Sequence, residues 1–398
     1  MHLSAPPVRP AAGLRGTWLL RMLLRQLSRG SLRVVLPSGA WIEHRAGADG
    51  PQAVLLLHRS RALRRLLTGG DLGFAQAYLD GDWSSPDPVA LIGLAAANSA
   101  ALEARFSGLA PLRLWRRLRH RRRDNTPRGS RRNIAFHYDL GNAFYRLWLD
   151  ESMTYSAARA LPPGGSLEAA QRDKRARVIE LLHLEPGASV LEIGCGWGAL
   201  ACDMAGQGAR VTGITLSREQ LAWAREAAGP APIELRLQDY RAVVGRFERI
   251  VSIEMIEAVG AAYWPAYFAM LGRSLAPGGR IVLQAITIRE DRFESYRRRP
   301  DFIQTCIFPG GMLPTATIIA AQAQAAGLRV VECETFGAGY ADTLAAWRER
   351  FEASLDAVRA LGLPERFIRM WRYYLCYCEA GFRDGVIDVG LYVMEAGR

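Results

Sequence analysis

From residue 190 onward, short strand-like runs recur at 190–193, 210–214, 233–237, 249–253, 280–286 and 386–394, with helical patterns between them. Strands of that length alternating with helices are the mark of βαβ units. Each crossover helix must bury one face on the strands it connects, so the units assemble as a parallel-dominated sheet with helices on both faces. The expected class is therefore α/β, preceded by a smaller α+β region. Neither an internal repeat nor a low-complexity segment interrupts the pattern.

Charge and composition narrow the setting. The chain has 398 residues, 49% hydrophobic and 23% charged, which is a globular composition. A net charge of +12 favours anionic partners: phospholipid headgroups, nucleic acid or acidic small molecules. Nearly all the basic residues are arginine, whose planar fork suits phosphate; a GC-rich genome would give the same bias. The only lysine is Lys174. The six cysteines form no C-x-x-C pair and have no zinc spacing, so no metal site is expected and the thiols read as reduced and cytoplasmic. No apolar run reaches the ~18 residues of a membrane span. Arg15, Arg21 and Arg25 interrupt the N-terminal apolar stretch, so a secretory leader is not expected. The protein is expected to be soluble or peripheral at the inner face of the membrane.

Three regions follow. Residues 1–112 are expected to form an N-terminal domain. Its stretch Trp18-Leu19-Leu20-Arg21-Met22-Leu23-Leu24-Arg25 reads either as a helix lying on an anionic membrane or as one packed on its own domain. Residues 113–132 are a linker in which ten arginines face one acid, Asp124. Such a run is either simply solvated or attracted to headgroups; aromatic residues for base stacking are scarce, so nucleic acid is not expected. Residues 133–398 form the catalytic domain.

The strongest local signal is Val190-Leu191-Glu192-Ile193-Gly194-Cys195-Gly196-Trp197-Gly198, a strand running into glycines and then a helix. Glycines there let the backbone approach a ligand closely at a helix N-terminus. The spacing is G-x-G-x-G rather than the G-x-G-x-x-G that cradles a pyrophosphate. Glu192, just before the turn, would repel phosphate but suits the amine and sulfonium of S-adenosylmethionine. The second strand ends at Gly213-Ile214-Thr215-Leu216-Ser217 without the usual ribose-binding acid. Thr215, Ser217 and Gln220 can supply hydroxyl and amide groups instead, and Ser217 can also cap the following helix. Leu237-Gln238-Asp239-Tyr240 places polar groups at the end of the third strand, within reach of adenine.

Together with Asn133-Ile134-Ala135-Phe136-His137-Tyr138-Asp139-Leu140-Gly141-Asn142, Met153-Thr154-Tyr155-Ser156, Phe308-Pro309-Gly310-Gly311, Leu313-Pro314 and Phe336-Gly337-Ala338-Gly339-Tyr340, these motifs make the chain resemble the cyclopropane fatty acid synthases and their mycolic-acid cyclopropanating relatives. The resemblance covers roughly residues 130–398 strongly and the first 115 weakly. It implies a seven-stranded class I methyltransferase sheet with S-adenosylmethionine as donor, and a homodimer through the N-terminal region. Tyr155 and Ser156 would lie on the donor's methionine end, with Gly194 and Gly196 lining its backbone pocket. Thr215, Leu216, Ser217 and Gln220 would hold the ribose region, and Asp239, Tyr240 and Ile253 would lie near adenine. The family also holds a bicarbonate beside the reacting methyl, using a cysteine, a glutamate, a histidine and a tyrosine. Here the glutamate falls on Glu257 and the tyrosine on Tyr340. The cysteine position is Ala157, the histidine position is Gln284, and Glu254 stands where well-known members have glycine.

The implied chemistry is methyl transfer to the double bond of an unsaturated acyl chain in membrane phospholipid. An alkene is a poor nucleophile, and alkylation leaves a carbocation that must be shielded from water. Aromatic faces stabilise a desolvated cation by roughly 2 kcal/mol. Phe367, Trp371, Tyr373, Tyr374, Tyr377 and Phe382 could serve, or could simply be helix core. Proton loss from the new methyl closes a cyclopropane; otherwise the product is a methyl-branched or methylene alkene. No histidine follows the glycine turn, and His137 is better placed to order its own segment. Glu257 is thus the expected base, directly or through a bound anion, with Gln284 orienting that anion by a hydrogen bond. The competing functions are a methyltransferase on a soluble small molecule or RNA, which lacks support from an asparagine-proline-proline-tyrosine motif, and a noncatalytic lipid-binding protein on the same scaffold.

Overall fold

A computed structural model describes residues 18–99 and 140–397. The arginine-rich run 113–132, His137 and most of the 133–142 motif lie outside the described residues. The chain divides into two compact units. One takes the N-terminal residues together with Gly362–Asp384; the other takes the residues between and those from Gly385 onward.

The second unit is built on a seven-stranded sheet of order β10-β11-β9-β8-β5-β6-β7. Its strands are β5 (Ser189–Ile193), β6 (Arg210–Thr215), β7 (Ile233–Leu237), β8 (Phe247–Ile253), β9 (Leu275–Ile288), β10 (Leu328–Thr335) and β11 (Ile387–Ala396). Pairing is parallel from β7 through β6, β5 and β8 to β9, and β11 runs antiparallel between β9 and β10. Alternate residues of one strand enter different cores, as a period of two requires for a sheet buried on both faces. Leu191 and Ile193 join one cluster with Trp264, Tyr267 and Phe268, while Val190 joins the other with Val178, Leu200 and Met204. On β9, Ile281, Leu283 and Ala285 face the first cluster and Val282 the second. Leu283 is fully buried at the centre of this packing. Leu283→Ala is expected to cost about 2–5 kcal/mol through lost contacts and the cavity left behind, read as a fall in the denaturant midpoint.

The seventh strand, β10, is absent from the apolar runs of the sequence. It lies at the sheet edge, buries only Leu328 fully, and carries Glu332 and Glu334, which pair with Arg177. Charge on an edge strand blocks unwanted pairing and also erases the apolar signature of a strand. Conversely, β9 begins five residues before its apolar run, because Pro277, Gly278 and Gly279 hide its start.

The first unit carries a four-stranded sheet of order β2-β1-β3-β4, with β1 at Arg29–Val35, β2 at Trp41–Arg45, β3 at Ala48–Leu57 and β4 at Trp83–Ser84. The short helix Trp18–Leu24 buries Leu20 and Leu24 in this unit and leaves Trp18 71% exposed. The helix Glu365–Arg383 belongs here, although the sequence reading runs it on with the catalytic segment. Trp371, Tyr373, Tyr374 and Phe382 are buried, and the Tyr373 ring lies 5.4 Å from Tyr78 and 6.4 Å from Trp83. Of the two roles open to these aromatics, core packing is the one their contacts display.

Candidate active site

The glycine turn leaves β5 as the motif requires. Gly194, Gly196 and Gly198 have φ of 81°, 52° and 89°, the region that favours glycine, and Gly198 opens the helix Ala199–Gly206. A Cβ on Gly194 would come within 3.2 Å of Met255 Cγ. A Cβ on Gly196 would meet nothing within 4 Å, so that glycine faces open space of the kind a ligand fills. Glu192 is buried and its Oε2 has no hydrogen-bond partner. Burial pushes its carboxyl up to about 8, and the Lys174 charge pulls the other way. An orphaned carboxyl oxygen beside an open glycine cradle fits a cationic ligand, whose arrival would favour the ionised form.

At the end of β6 the polar residues are tied to one another. Thr215 Oγ1 donates to Gln220 Oε1 at 3.0 Å, Ser217 N donates to Thr215 Oγ1 at 3.1 Å, and Ser217 Oγ accepts from Gln220 N at 3.2 Å. Ser217 therefore caps the helix Arg218–Ala228. All three residues are buried. Asp239 is committed locally: Oδ1 accepts from Arg241 N and Nε at 2.9 Å, and Oδ2 from Nη2 at 3.1 Å. Next to it, the Tyr240 hydroxyl is buried without a partner, and burial raises it to about 12. Ile253 ends β8, with its residue register opposite Gln284 of β9.

Tyr155 sits in an aromatic cluster that the sequence reading missed. Its ring centroid lies 5.5 Å from Tyr145 and 5.4 Å from both Trp148 and Trp347; Trp347 in turn lies 6.1 Å from Tyr340. The cluster joins residues nearly 200 apart in sequence, which no local pattern could reveal.

The largest departure from expectation concerns the carboxylates. Tyr340 and Gln284, expected to hold an anion beside Glu257, instead both donate to Glu254. Tyr340 OH reaches Oε2 at 2.7 Å and Gln284 Nε2 reaches Oε1 at 2.7 Å. The backbone N of Ala157 also donates to Oε1, at 2.8 Å. Three of the four positions that the resemblance assigns to the anion thus converge on the Glu254 carboxylate. Glu257 is elsewhere engaged: Oε1 accepts from Ile286 N at 2.6 Å, and Oε2 is buried without a partner. A separate bicarbonate does not fit this arrangement, since its donors are taken and it would lie against two carboxyl groups.

Burial raises both carboxyls, but their surroundings differ. Glu254 is held down by the Ala157 N–H, the Tyr340 hydroxyl, the Lys174 charge and the Gln284 amide. Glu257 has the repulsion of Glu254 added to its burial and rises to about 8. When Glu254 is ionised, Glu257 therefore keeps its proton at neutral pH. The backbone adds a second sign of function. Glu254 has φ of 48°, a left-handed conformation that costs a non-glycine residue about 1–2 kcal/mol. Glycine, which the resemblance implies for this position, would adopt that conformation without strain.

Fold and site together define an S-adenosylmethionine-dependent methyltransferase of the class I architecture. The model of the mycolic acid cyclopropane synthetase family matches residues 125–391, and the chain belongs to that family. It is 40% identical to the tuberculostearic acid methyltransferase UfaA1 of Mycobacterium tuberculosis, over 96% of this chain and 92% of that one. It is 34% identical to the cyclopropane-fatty-acyl-phospholipid synthase of Escherichia coli K12, over 84% and 85% of the two chains. Among solved structures it is similar to the mycolic acid cyclopropane synthase CmaA1 complexed with SAH and CTAB, with a TM-score of 0.62 and 30% identity over 66% of this chain and 97% of that one.

Proposed function

We propose that the enzyme adds the donor's methyl carbon to the double bond of an unsaturated acyl chain in phospholipid, with the Glu254 carboxylate accepting the proton that is lost. The convergence of Tyr340, Gln284 and Ala157 N on Glu254 is the observation that carries this reading. Bound S-adenosylmethionine supplies an electrophilic methyl on a sulfonium. The chain's residues do the rest. Glu192 offers a carboxylate to the donor's cationic end, and the open side of Gly196 leaves room for it. The Tyr340 hydroxyl meets Glu254, and its ring packs on Trp347, which packs on Tyr155; these aromatic faces would shield a developing cation from water. Three hydrogen bonds oppose the burial that raises the Glu254 carboxyl and hold it fixed, which spares it the reorganisation a free anion would need.

The sequence reading puts the base on Glu257. We move that role to Glu254, because Glu257 is the member of the pair held protonated at neutral pH. The acidic limb of the rate profile should therefore lie above the usual carboxylate range, with activity falling as pH drops through the raised value of Glu254.

Support for a lipid substrate comes from the relatives named for fatty-acyl phospholipid and for tuberculostearic acid. The relative matched over nearly the whole chain is named for methyl transfer rather than ring formation, which favours an open branch over a cyclopropane. Among the described residues no helix is long and apolar enough to cross a membrane, so substrate would be met at the bilayer surface. The +12 net charge suits an anionic surface there. Mass spectrometry with gas chromatography of lipids from a host expressing the gene, grown with methyl-deuterated methionine, tests the reading. A labelled carbon on phospholipid acyl chains that retains all its deuterium is expected. Lipids identical to those of the control host would count against it.

A further inference from the structure

A single lysine stands among the 51 Lys and Arg residues of this chain, and it lies in the interior beside the site. Lys174 is 2% exposed and projects from the helix Leu167–Leu181. Its Nζ donates to Ser156 Oγ at 2.7 Å. Gln171, three residues earlier on the same face, donates from Nε2 to the Ser156 carbonyl at 2.8 Å. The next two residues are gripped as well: Ala157 N donates to Glu254, and Ala158 N donates to Thr343 Oγ1 at 3.2 Å. Ser156 is thus held at its backbone and its hydroxyl by one helix face.

The direction of the Ser156 hydroxyl follows from donor counting. An ammonium has three protons and no acceptor, so it occupies a lone pair on Oγ and leaves the serine's own proton to be given elsewhere. No acceptor for that proton is found among the described residues. An anion would accept from the hydroxyl and gain from the ammonium charge. On β5, Glu192 presents the complementary group, a carboxyl with an unpartnered buried oxygen, and the charges of Glu192 and Lys174 are close enough to act on one another. The ammonium and carboxylate of an amino acid would each find an opposite charge in such a pair. Burial draws Lys174 down to about 8 and the Glu254 charge opposes this, so the ammonium form prevails at neutral pH. A guanidinium, planar and broader, does not replace a compact ammonium in so enclosed a place.

We propose that Lys174 is a positioning residue for the donor, directing the Ser156 hydroxyl toward the carboxylate of the donor's methionine end and supplying the positive charge that carboxylate needs. This rests on the reading of Ser156 as a donor contact. The test is calorimetry on the full chain, wild type and Lys174→Met, with S-adenosylhomocysteine and with 5′-methylthioadenosine, which lacks the amino-acid end. Loss of a charge-assisted hydrogen bond is expected to weaken S-adenosylhomocysteine about tenfold or more while methylthioadenosine binding changes little, so the ratio of the two affinities falls. Lys174→Gln and Lys174→Arg enter the same comparison, with thermal unfolding identifying the folded variants. An unchanged ratio in the folded variants overturns the proposal, and so does failure of all three to fold, which would make Lys174 a residue of the core. A wild type that binds the two ligands equally would instead overturn the reading of Ser156.

Discussion

Glu254→Gln is expected to lower turnover by about 10²–10⁴-fold, the usual contribution of a general base, with donor binding little changed. The amide keeps the shape and removes the basicity. Glu254→Gly goes further and is more informative. It relieves the left-handed backbone at φ 48° and frees Tyr340, Gln284 and Ala157 N, the donors that a bound anion would need. Its basal activity should be as low as that of the glutamine variant, its stability equal to or slightly above wild type, and its activity should rise when bicarbonate is added. The glutamine variant, whose side chain still fills the position, should not respond. Glu257→Gln should cost less than either, because Glu257 is already protonated at neutral pH when Glu254 carries the charge. Steady-state kinetics of the three variants with and without bicarbonate check these outcomes. A Glu257 variant more damaged than Glu254→Gln would return the base to the position the sequence reading gave it.

Gly196→Ala is expected to abolish most donor affinity while leaving the fold intact. The new methyl would meet no protein atom within 4 Å, so nothing in the protein is displaced. At φ 52° an alanine costs roughly 1–2 kcal/mol of stability, a small fraction of a domain's total only when the rest is well packed, as the two clusters flanking this sheet are. The open space that accepts the methyl is the space assigned to the donor, where overlap should weaken binding by about 100-fold. Calorimetry with S-adenosylhomocysteine and a thermal melt separate the two effects. Wild-type affinity in a stable Gly196→Ala protein would remove the donor from this pocket.

Much of this was legible in the sequence, for identifiable reasons. Strands in the middle of the sheet leave largely apolar runs, so β5, β6, β8 and most of β9 and β11 were visible, and the edge strand β7 was visible through its alternation of Ile233, Leu235 and Leu237 with Glu234 and Arg236. The edge strand β10 was not, because charge replaces the apolar pattern on an exposed edge. The glycine turn was visible because its backbone conformation restricts residue type at each position. What sequence could not supply was partnership between distant segments. Glu254 and Glu257 both follow β8, three residues apart, and only the approach of Gln284 from β9 and Tyr340 from the helix Gly337–Ala353 decides which carboxyl they serve. The signal that could have pointed to Glu254 was present, a charged residue at a position where glycine is usual. The aromatic stretch at 367–382 shows an ambiguity of the same origin. Its helical spacing fitted either core or site, and its contacts with Tyr78 and Trp83 place it in the first unit.

The most direct measurement is transfer of a labelled methyl from S-adenosylmethionine into the acyl chains of unsaturated phospholipid vesicles by the purified wild-type enzyme, in buffer freed of bicarbonate and again after bicarbonate is restored. With Glu254 as the resident carboxylate, label should enter the acyl chains at the same rate in both. Label that stays out of the acyl chains, or enters them only when bicarbonate is present, would contradict the assignment.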